Sequence, residues 1–214
     1  MRNYIFFDLD GTVTDPAMGI TNSVMHALRR YGMEPPAREE LYSFIGPPLQ
    51  ASFQAFCGFD EEEGKRAVEY YREYYRDKGI FENILYPGMK ELLAELSARG
   101  KRLVLVTSKP HVFAKRILSH FEIAPYFDAV YGSELDGTHV EKEELIAYTL
   151  SDLGVPPSEA VMVGDRRFDL EGAKKHGLSS VGVLYGYGSR EEIEGCRPDF
   201  IAETVDDLYG ILGA

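Results

Sequence analysis

Apolar positions along the chain fall into two rhythms. Tyr4 to Phe7, Leu103 to Thr107 and Ala160 to Val163 are short continuous apolar runs, the pattern of strands buried on both faces of a parallel sheet. From Pro87 onward such runs alternate with segments of helical period. Gly88–Arg99 is predicted as helix and Leu103–Thr107 as strand, then Val112–Phe121 as helix with a short strand at Ala129–Tyr131. The alternation continues through a helix at Lys142–Leu153, a strand at Ala160–Val163, a helix at Asp169–His176 and strands at Ser180–Leu184 and Asp199–Ile201, and closes with a helix at Val205–Leu212. This order predicts an α/β fold with a doubly wound, parallel, Rossmann-like sheet.

Between the first strand and Leu103 the pattern is helical, with no convincing strand. Ala17–Tyr31 reads as a helix, Pro35-Pro36 interrupts, and a further segment lies around Leu41–Phe44. A crossover between neighbouring parallel strands needs only a dozen or so residues, so most of this stretch is an insertion. The expected organisation is an α/β core of residues 1–14 and 84–214 with an all-helical domain at 15–83.

Chemistry collects where the apolar runs end. Asp8 and Asp10 follow the first run, at the strand edge where open α/β sheets place ligands, and Gly11 breaks the segment. Two carboxylates there call for a cation, and an aspartate is already ionised near neutral pH, so it can attack phosphorus without a base. The alternative is a plain Asp-Gly turn. Glu134-Leu135-Asp136-Gly137-Thr138 nearly repeats Asp8-Leu9-Asp10-Gly11-Thr12, but Gly132 and Ser133 precede it, so it reads as a loop after a short strand.

The second run ends at Thr107-Ser108-Lys109. A hydroxyl and backbone N–H groups at a strand-to-helix junction can hold phosphate oxygens or simply cap the helix. The third strong run ends at Gly164-Asp165, with Asp169 four residues on. If a helix starts at once, that spacing turns both carboxylates to the same mouth, where they bind a metal or where Asp169 serves as support or helix cap. A fixed positive charge must accompany phosphoryl chemistry. Lys142, at a helix start, and Lys109 are the candidates.

The chain of 214 residues is 44% hydrophobic and 27% charged, ordinary for one sizeable core plus an insertion. Its 35 acidic against 23 basic residues give a net charge of -12, which disfavours a nucleic acid polymer as partner. No stretch has the length of a membrane span and the N-terminus lacks a signal-peptide order, so neither a membrane partner nor export is expected, and the location expected is cytoplasmic. Cys57 and Cys196 are expected as free thiols, and the five histidines have no metal-ligand spacing. Tyr70, Tyr71, Tyr74 and Tyr75 repeat at helical spacing, as packing residues do. Gly186 and Gly188 do not complete a dinucleotide fingerprint.

Taken in order, these strand ends resemble the motifs of the haloacid dehalogenase superfamily, mostly magnesium-dependent phosphotransferases. Phe44 to Leu49, Gly164-Asp165-Arg166 and Leu184 to Ser189 further resemble its phosphoglycolate phosphatase-like and 5′-nucleotidase-like members, which carry a helical cap. Phe168 stands where that subgroup often has histidine. The resemblance implies a phosphatase with Asp8 as nucleophile and Asp10 as acid and then base. It implies Thr107, Ser108, Lys142 and Gly11 around the phosphate, and Mg2+ held by Asp8, the Asp10 carbonyl, Asp165 and Asp169. Ile45 to Leu49 would be the substrate-facing part of a closing cap. The expected partner is a small-molecule phosphate ester, and the expected state a monomer or weak homodimer. The alternatives are a phosphomutase of the β-phosphoglucomutase kind, a phosphonatase using Lys65 or Lys78, and a non-catalytic phosphate-binding or regulatory module.

Overall fold

The computed structural model describes residues 3–213. They form two compact units, one built from residues up to Asp15 together with Leu85 onward, the other from Pro16–Ile84.

In chain order the strands are β1 (Tyr4–Phe7), β2 (Thr14–Asp15), β3 (Ile84–Leu85), β4 (Arg102–Pro110), β5 (Ala129–Ser133), β6 (Ala160–Gly164), β7 (Ser179–Val183) and β8 (Phe200–Ala202). Six of them make one parallel sheet in the order β5-β4-β1-β6-β7-β8. The chain thus builds one side of β1 and then returns to build the other, which opens a crevice at the carboxyl ends of β1, β4 and β6. Register levels those ends: Phe7 pairs with both Leu105 and Val163.

Burial follows the apolar runs. Phe6, Val104, Val106, Met162, Leu145, Ile146 and Leu150 form a cluster that joins the three central strands to the helix at Lys142–Leu153. The other helices of this unit lie at Met89–Ala98, His111–His120, Arg167–Lys175, Arg190–Cys196 and Val205–Gly213.

Most element ends lie within a residue or two of the sequence expectation, and three departures have a visible cause. β4 runs on to Pro110, with a register shift between Thr107 and Pro110, because Ser133 Oγ donates to the Ser108 carbonyl at 2.8 Å and holds the extra residues to β5. The helix expected from Asp169 begins at Arg167, and the Asp169 carboxylate accepts from the Arg166 N–H at 3.2 Å, capping its first turn. Arg190–Cys196 is helical although Ile193 is its one buried residue; Ser189 Oγ caps it by accepting from the Glu192 N–H at 3.1 Å.

The unit at 16–84 consists of α1 (Ala17–Arg30), α2 (Leu49–Cys57) and α3 (Glu61–Tyr75), with short 3-10 segments at Arg38–Phe44 and Gly79–Phe81. Asp60 and Glu63 exchange the two hydrogen bonds of a capping box at the start of α3. Tyr71 and Tyr75 are buried with rings stacked 5.1 Å apart, while Tyr70 meets Tyr31 edge-on and Tyr74 donates to Glu82. Ile45, expected to face substrate, is fully buried, and residues 46–49 are half-buried. Cys57 and Cys196 are free. No helix among the described residues is long and apolar enough to cross a membrane.

α1 and the Gly79 segment approach so closely that a Cβ on Gly19 would lie 1.9 Å from the Gly79 carbonyl oxygen. Backbone cannot swing aside as a side chain can. Gly19→Ala is therefore expected to destabilise the protein by about 1–3 kcal/mol or more. Thermal unfolding followed by circular dichroism checks this, and an unchanged midpoint would contradict the close packing.

Candidate active site

Past the end of β1 the chain bends at Leu9, and Asp10 bridges to Thr14. Leu9 is fully buried, with Asp8 and Asp10 one residue to either side. The Asp8 N–H donates to the Val163 carbonyl at 2.9 Å and continues the ladder. The chain then folds around the Leu9 carbonyl, which accepts from the N–H groups of Thr12, Val13 and Thr14. Gly11 makes this turn with φ of 88°.

Each of the two acids has its own lysine. Lys142, the first residue of the helix Lys142–Leu153, donates to Asp8 Oδ1 at 2.6 Å and to the Val106 carbonyl at 2.7 Å, and lies 2.8 Å from Asp169 Oδ1. Lys109 pairs with Asp10 Oδ2 at 2.7 Å. The other oxygen of Asp10, Oδ1, is buried and has no hydrogen-bond partner among the described residues.

Asp165 directly follows β6 and is completely buried. Its Oδ2 accepts from the Tyr187 N–H at 2.7 Å, and its Oδ1 from Thr12 Oγ1 at 3.4 Å. Asp8, Asp165 and Asp169 each present one oxygen within 4.8 Å of the others. The Asp10 carboxylate is outside that trio. Thr107 is buried and its Oγ1 accepts from the Lys109 N–H at 3.3 Å; Ser108 is half-buried. The structure therefore gathers Asp8, Lys142, Asp165 and Asp169 into direct contact or near contact, with Asp10 and Lys109 as a second pair.

Burial dominates the electrostatics. It pushes the Asp165 carboxyl well above the ordinary carboxylate range, reinforced by Asp8 and Asp169 and opposed by the Tyr187 N–H and Arg166. Asp169 is pushed up to about 6 by burial, against the pull of Lys142. Asp10 is raised by burial, against Lys109. Burial disfavours the charge on Lys142, but Asp169 and Asp8 together outweigh it and hold the ammonium above its ordinary pKa. Four buried carboxylates thus face two lysines. The imbalance amounts to about two charges, and the surplus donors are hard oxygens, which fits a divalent cation such as Mg2+.

Glycines make the crowding possible. A Cβ on Gly11 would lie 2.2 Å from Asp165 Oδ2, and one on Gly164 would lie 2.3 Å from Asp169 Cβ. Gly186 and Gly188 press on Asp165 from another side, at 2.4 Å from its Cβ and 2.0 Å from its carbonyl oxygen. Sequence reasoning assigns Thr12 no role of its own, and Tyr187, Gly186 and Gly188 enter it only as part of the Leu184 to Ser189 family resemblance and, for the glycines, as an incomplete nucleotide fingerprint. The available signal was the Tyr-Gly-Tyr-Gly alternation directly after a buried strand.

The near-copy at Glu134 to Thr138 is an exposed turn, closed by the Glu134 N–H donating to the Thr138 carbonyl at 2.8 Å. Glu134 pairs with His111, and His139 stacks on Tyr148, so both histidines nearest the motifs are engaged outside the acid cluster. Phe168 lies under the guanidinium groups of Arg166 and Arg167.

A model of the haloacid dehalogenase-like hydrolase family matches residues 5–183. The chain is 48% identical over 208 residues to a 5′-nucleotidase of Pseudomonas aeruginosa, covering 97% of this chain and 94% of that protein. It is 38% identical over 211 residues to a tyrosine-protein kinase of Mycobacterium tuberculosis, covering 98% and 72%. Among solved structures it matches a crystal structure described as a predicted phosphatase from Clostridium acetobutylicum with a TM-score of 0.96 and 46% identity, over 100% of both chains. The family match takes in every strand end that carries the acids and lysines, and the chain belongs to the haloacid dehalogenase-like hydrolases as an enzyme of the phosphatase type.

Proposed function

We propose that the protein is a Mg2+-dependent phosphomonoesterase acting on a small phosphorylated metabolite through a phosphoaspartate. The observation that carries this reading is Asp8, set between the Lys142 ammonium at 2.6 Å and the two further carboxylates Asp165 and Asp169. A nucleophile for phosphorus needs a neighbouring positive field to accept the negative phosphoryl oxygens; Lys142 contributes one charge to it, and a divalent cation on the surplus carboxylates would contribute the rest.

Asp8, Asp165, Asp169 and the Asp10 carbonyl are the groups that would hold Mg2+, which when bound neutralises charge on the phosphoryl oxygens. An Asp8 oxygen forms a bond to phosphorus as the bond to the leaving alcohol breaks, and Asp10 gives that alcohol its proton. Asp10 is suited to this because burial raises its pKa and one of its oxygens is not engaged. Asp10 then takes a proton from water, the hydroxyl adds to phosphorus, and inorganic phosphate leaves Asp8 free. Lys142 offsets charge on the phosphoryl oxygens throughout, with Thr107 and Ser108 as further phosphate contacts. Residues 16–84 are proposed as the cap that selects the leaving group. Nucleoside monophosphates head the substrate class, on the strength of the 48% identity to a 5′-nucleotidase, followed by phosphoglycolate.

Asp8→Asn is expected to lower kcat/KM for p-nitrophenyl phosphate by more than about a thousandfold. Parent-like turnover by that variant would sink the mechanism. Release of phosphate from nucleoside monophosphates without any added acceptor separates hydrolysis from transfer to a sugar or a tyrosine; phosphoryl held until an acceptor is added would favour the mutase or kinase reading.

Mg2+ is expected to raise the unfolding temperature of the parent and EDTA to reverse the gain, because a cation that binds only the native state adds its binding free energy to stability. Asp165→Asn should lose the Mg2+-induced shift. Without metal the same variant should unfold at a higher temperature than the parent, since it removes a buried charge repelled by Asp8 and Asp169. Differential scanning fluorimetry with and without EDTA reads both effects, and an Asp165→Asn protein that still responds to Mg2+ would exclude Asp165 as a ligand.

A further inference from the structure

β7 ends at Val183, and Leu184-Tyr185-Gly186-Tyr187-Gly188-Ser189 then turns back over Asp165. The Tyr187 N–H gives Asp165 a 2.7 Å hydrogen bond, shorter than the 3.4 Å bond from Thr12. Its two glycine neighbours let the backbone lie directly on Asp165. The far end of Tyr187 is fixed as well: its hydroxyl donates to Asp15 Oδ1. Tyr185 anchors the same turn by donating to the Thr12 carbonyl at 3.1 Å, with its ring 4.8 Å from that of Tyr86.

A backbone N–H orients a carboxylate only as firmly as its own backbone is held. Glycine on both sides of Tyr187 supplies close approach but little stiffness. The stiffness must come from side chains, and the one that belongs to the donating residue itself ends on Asp15. We infer that the Tyr187–Asp15 pair is a positioning device for Asp165: it pins the turn so that the Tyr187 N–H fixes the plane of that carboxylate for the cation. Both residues act through Asp165, Tyr187 by its N–H and Asp15 by holding the Tyr187 hydroxyl. The inference rests on the Mg2+ reading above, and outer hydrogen bonds of this kind commonly set metal affinity.

The test is isothermal titration calorimetry of Mg2+ into the metal-stripped, full-length protein. Tyr187→Phe keeps the ring and removes the hydroxyl, and should weaken Mg2+ binding about tenfold. Asp15→Ala should do the same, and the double variant should be no worse than either single one, because both break one link. Asp15→Asn keeps an acceptor oxygen and should bind Mg2+ close to the parent value. A purely structural role would instead lower the unfolding temperature of Tyr187→Phe and Asp15→Ala while leaving their Mg2+ affinity at the parent value, and that result overturns the inference while the metal reading stands. A parent protein that takes up no Mg2+ overturns both.

Discussion

Like charges held together against their own repulsion are the constraint on which this site depends. Asp8, Asp165 and Asp169 each hold one oxygen within 4.8 Å of the others out of water, and the Lys142 ammonium offsets part of their charge. Its ammonium touches Asp8 beyond β1, the Val106 carbonyl of β4 and Asp169 in the helix after β6, so one charge ties together three elements far apart in sequence. A solvated lysine could not do this. Lys142 is 5% exposed, and its charge survives burial because two carboxylates share it.

The parallel sheet makes the meeting possible without long reaches. Because Phe7 is level with Leu105 and Val163, the residues that follow on all three strands emerge at one edge. What remains is to let them come close. The glycines at 11, 164, 186 and 188 supply that, since a methyl group at any of them would collide with Asp165 or Asp169. The acids are therefore packed against backbone, and the burial this imposes raises the pKa of Asp165 and Asp169. Asp10 escapes this group. Lys109 holds it separately, and the separation suits a residue that moves protons rather than one that binds phosphorus.

Much of this was legible in the sequence because buried parallel strands write themselves as uninterrupted apolar runs, and the acids lie where those runs stop. Asp8 and Asp165 stand out by position, whereas Lys142 and Lys109 stay open as candidates until the family resemblance favours Lys142. The pairing of Lys109 with Asp10 could not be named, since strand ends brought together by the sheet leave no trace in local spacing. Tyr187 was hidden for the same reason: its contribution to Asp165 is a main-chain N–H, which every residue but proline carries. Ile45 is a different case. The family resemblance names it with its neighbours through Leu49, and its own apolar side chain is fully buried while residues 46–49 are half-buried.

The two copies of the acid-leucine-acid-glycine-threonine pattern show what a motif consists of physically. Both place two acids one residue apart and both turn at a glycine of positive φ, 88° at Gly11 and 94° at Gly137. They differ at the leucine. Leu9 is 0% exposed and Leu135 is 46% exposed. A buried leucine pins the chain from the core side, and the ladder bond from Asp8 to Val163 keeps the carboxylates beside it at the sheet edge. With the leucine half exposed the flanking acids turn to local partners: Asp136 Oδ1 accepts from the Thr138 N–H at 2.9 Å, and Glu134 pairs with His111. The chemistry of Asp8 and Asp10 therefore originates in the apolar run before them, which carries Leu9 into the core and the carboxylates to the sheet edge.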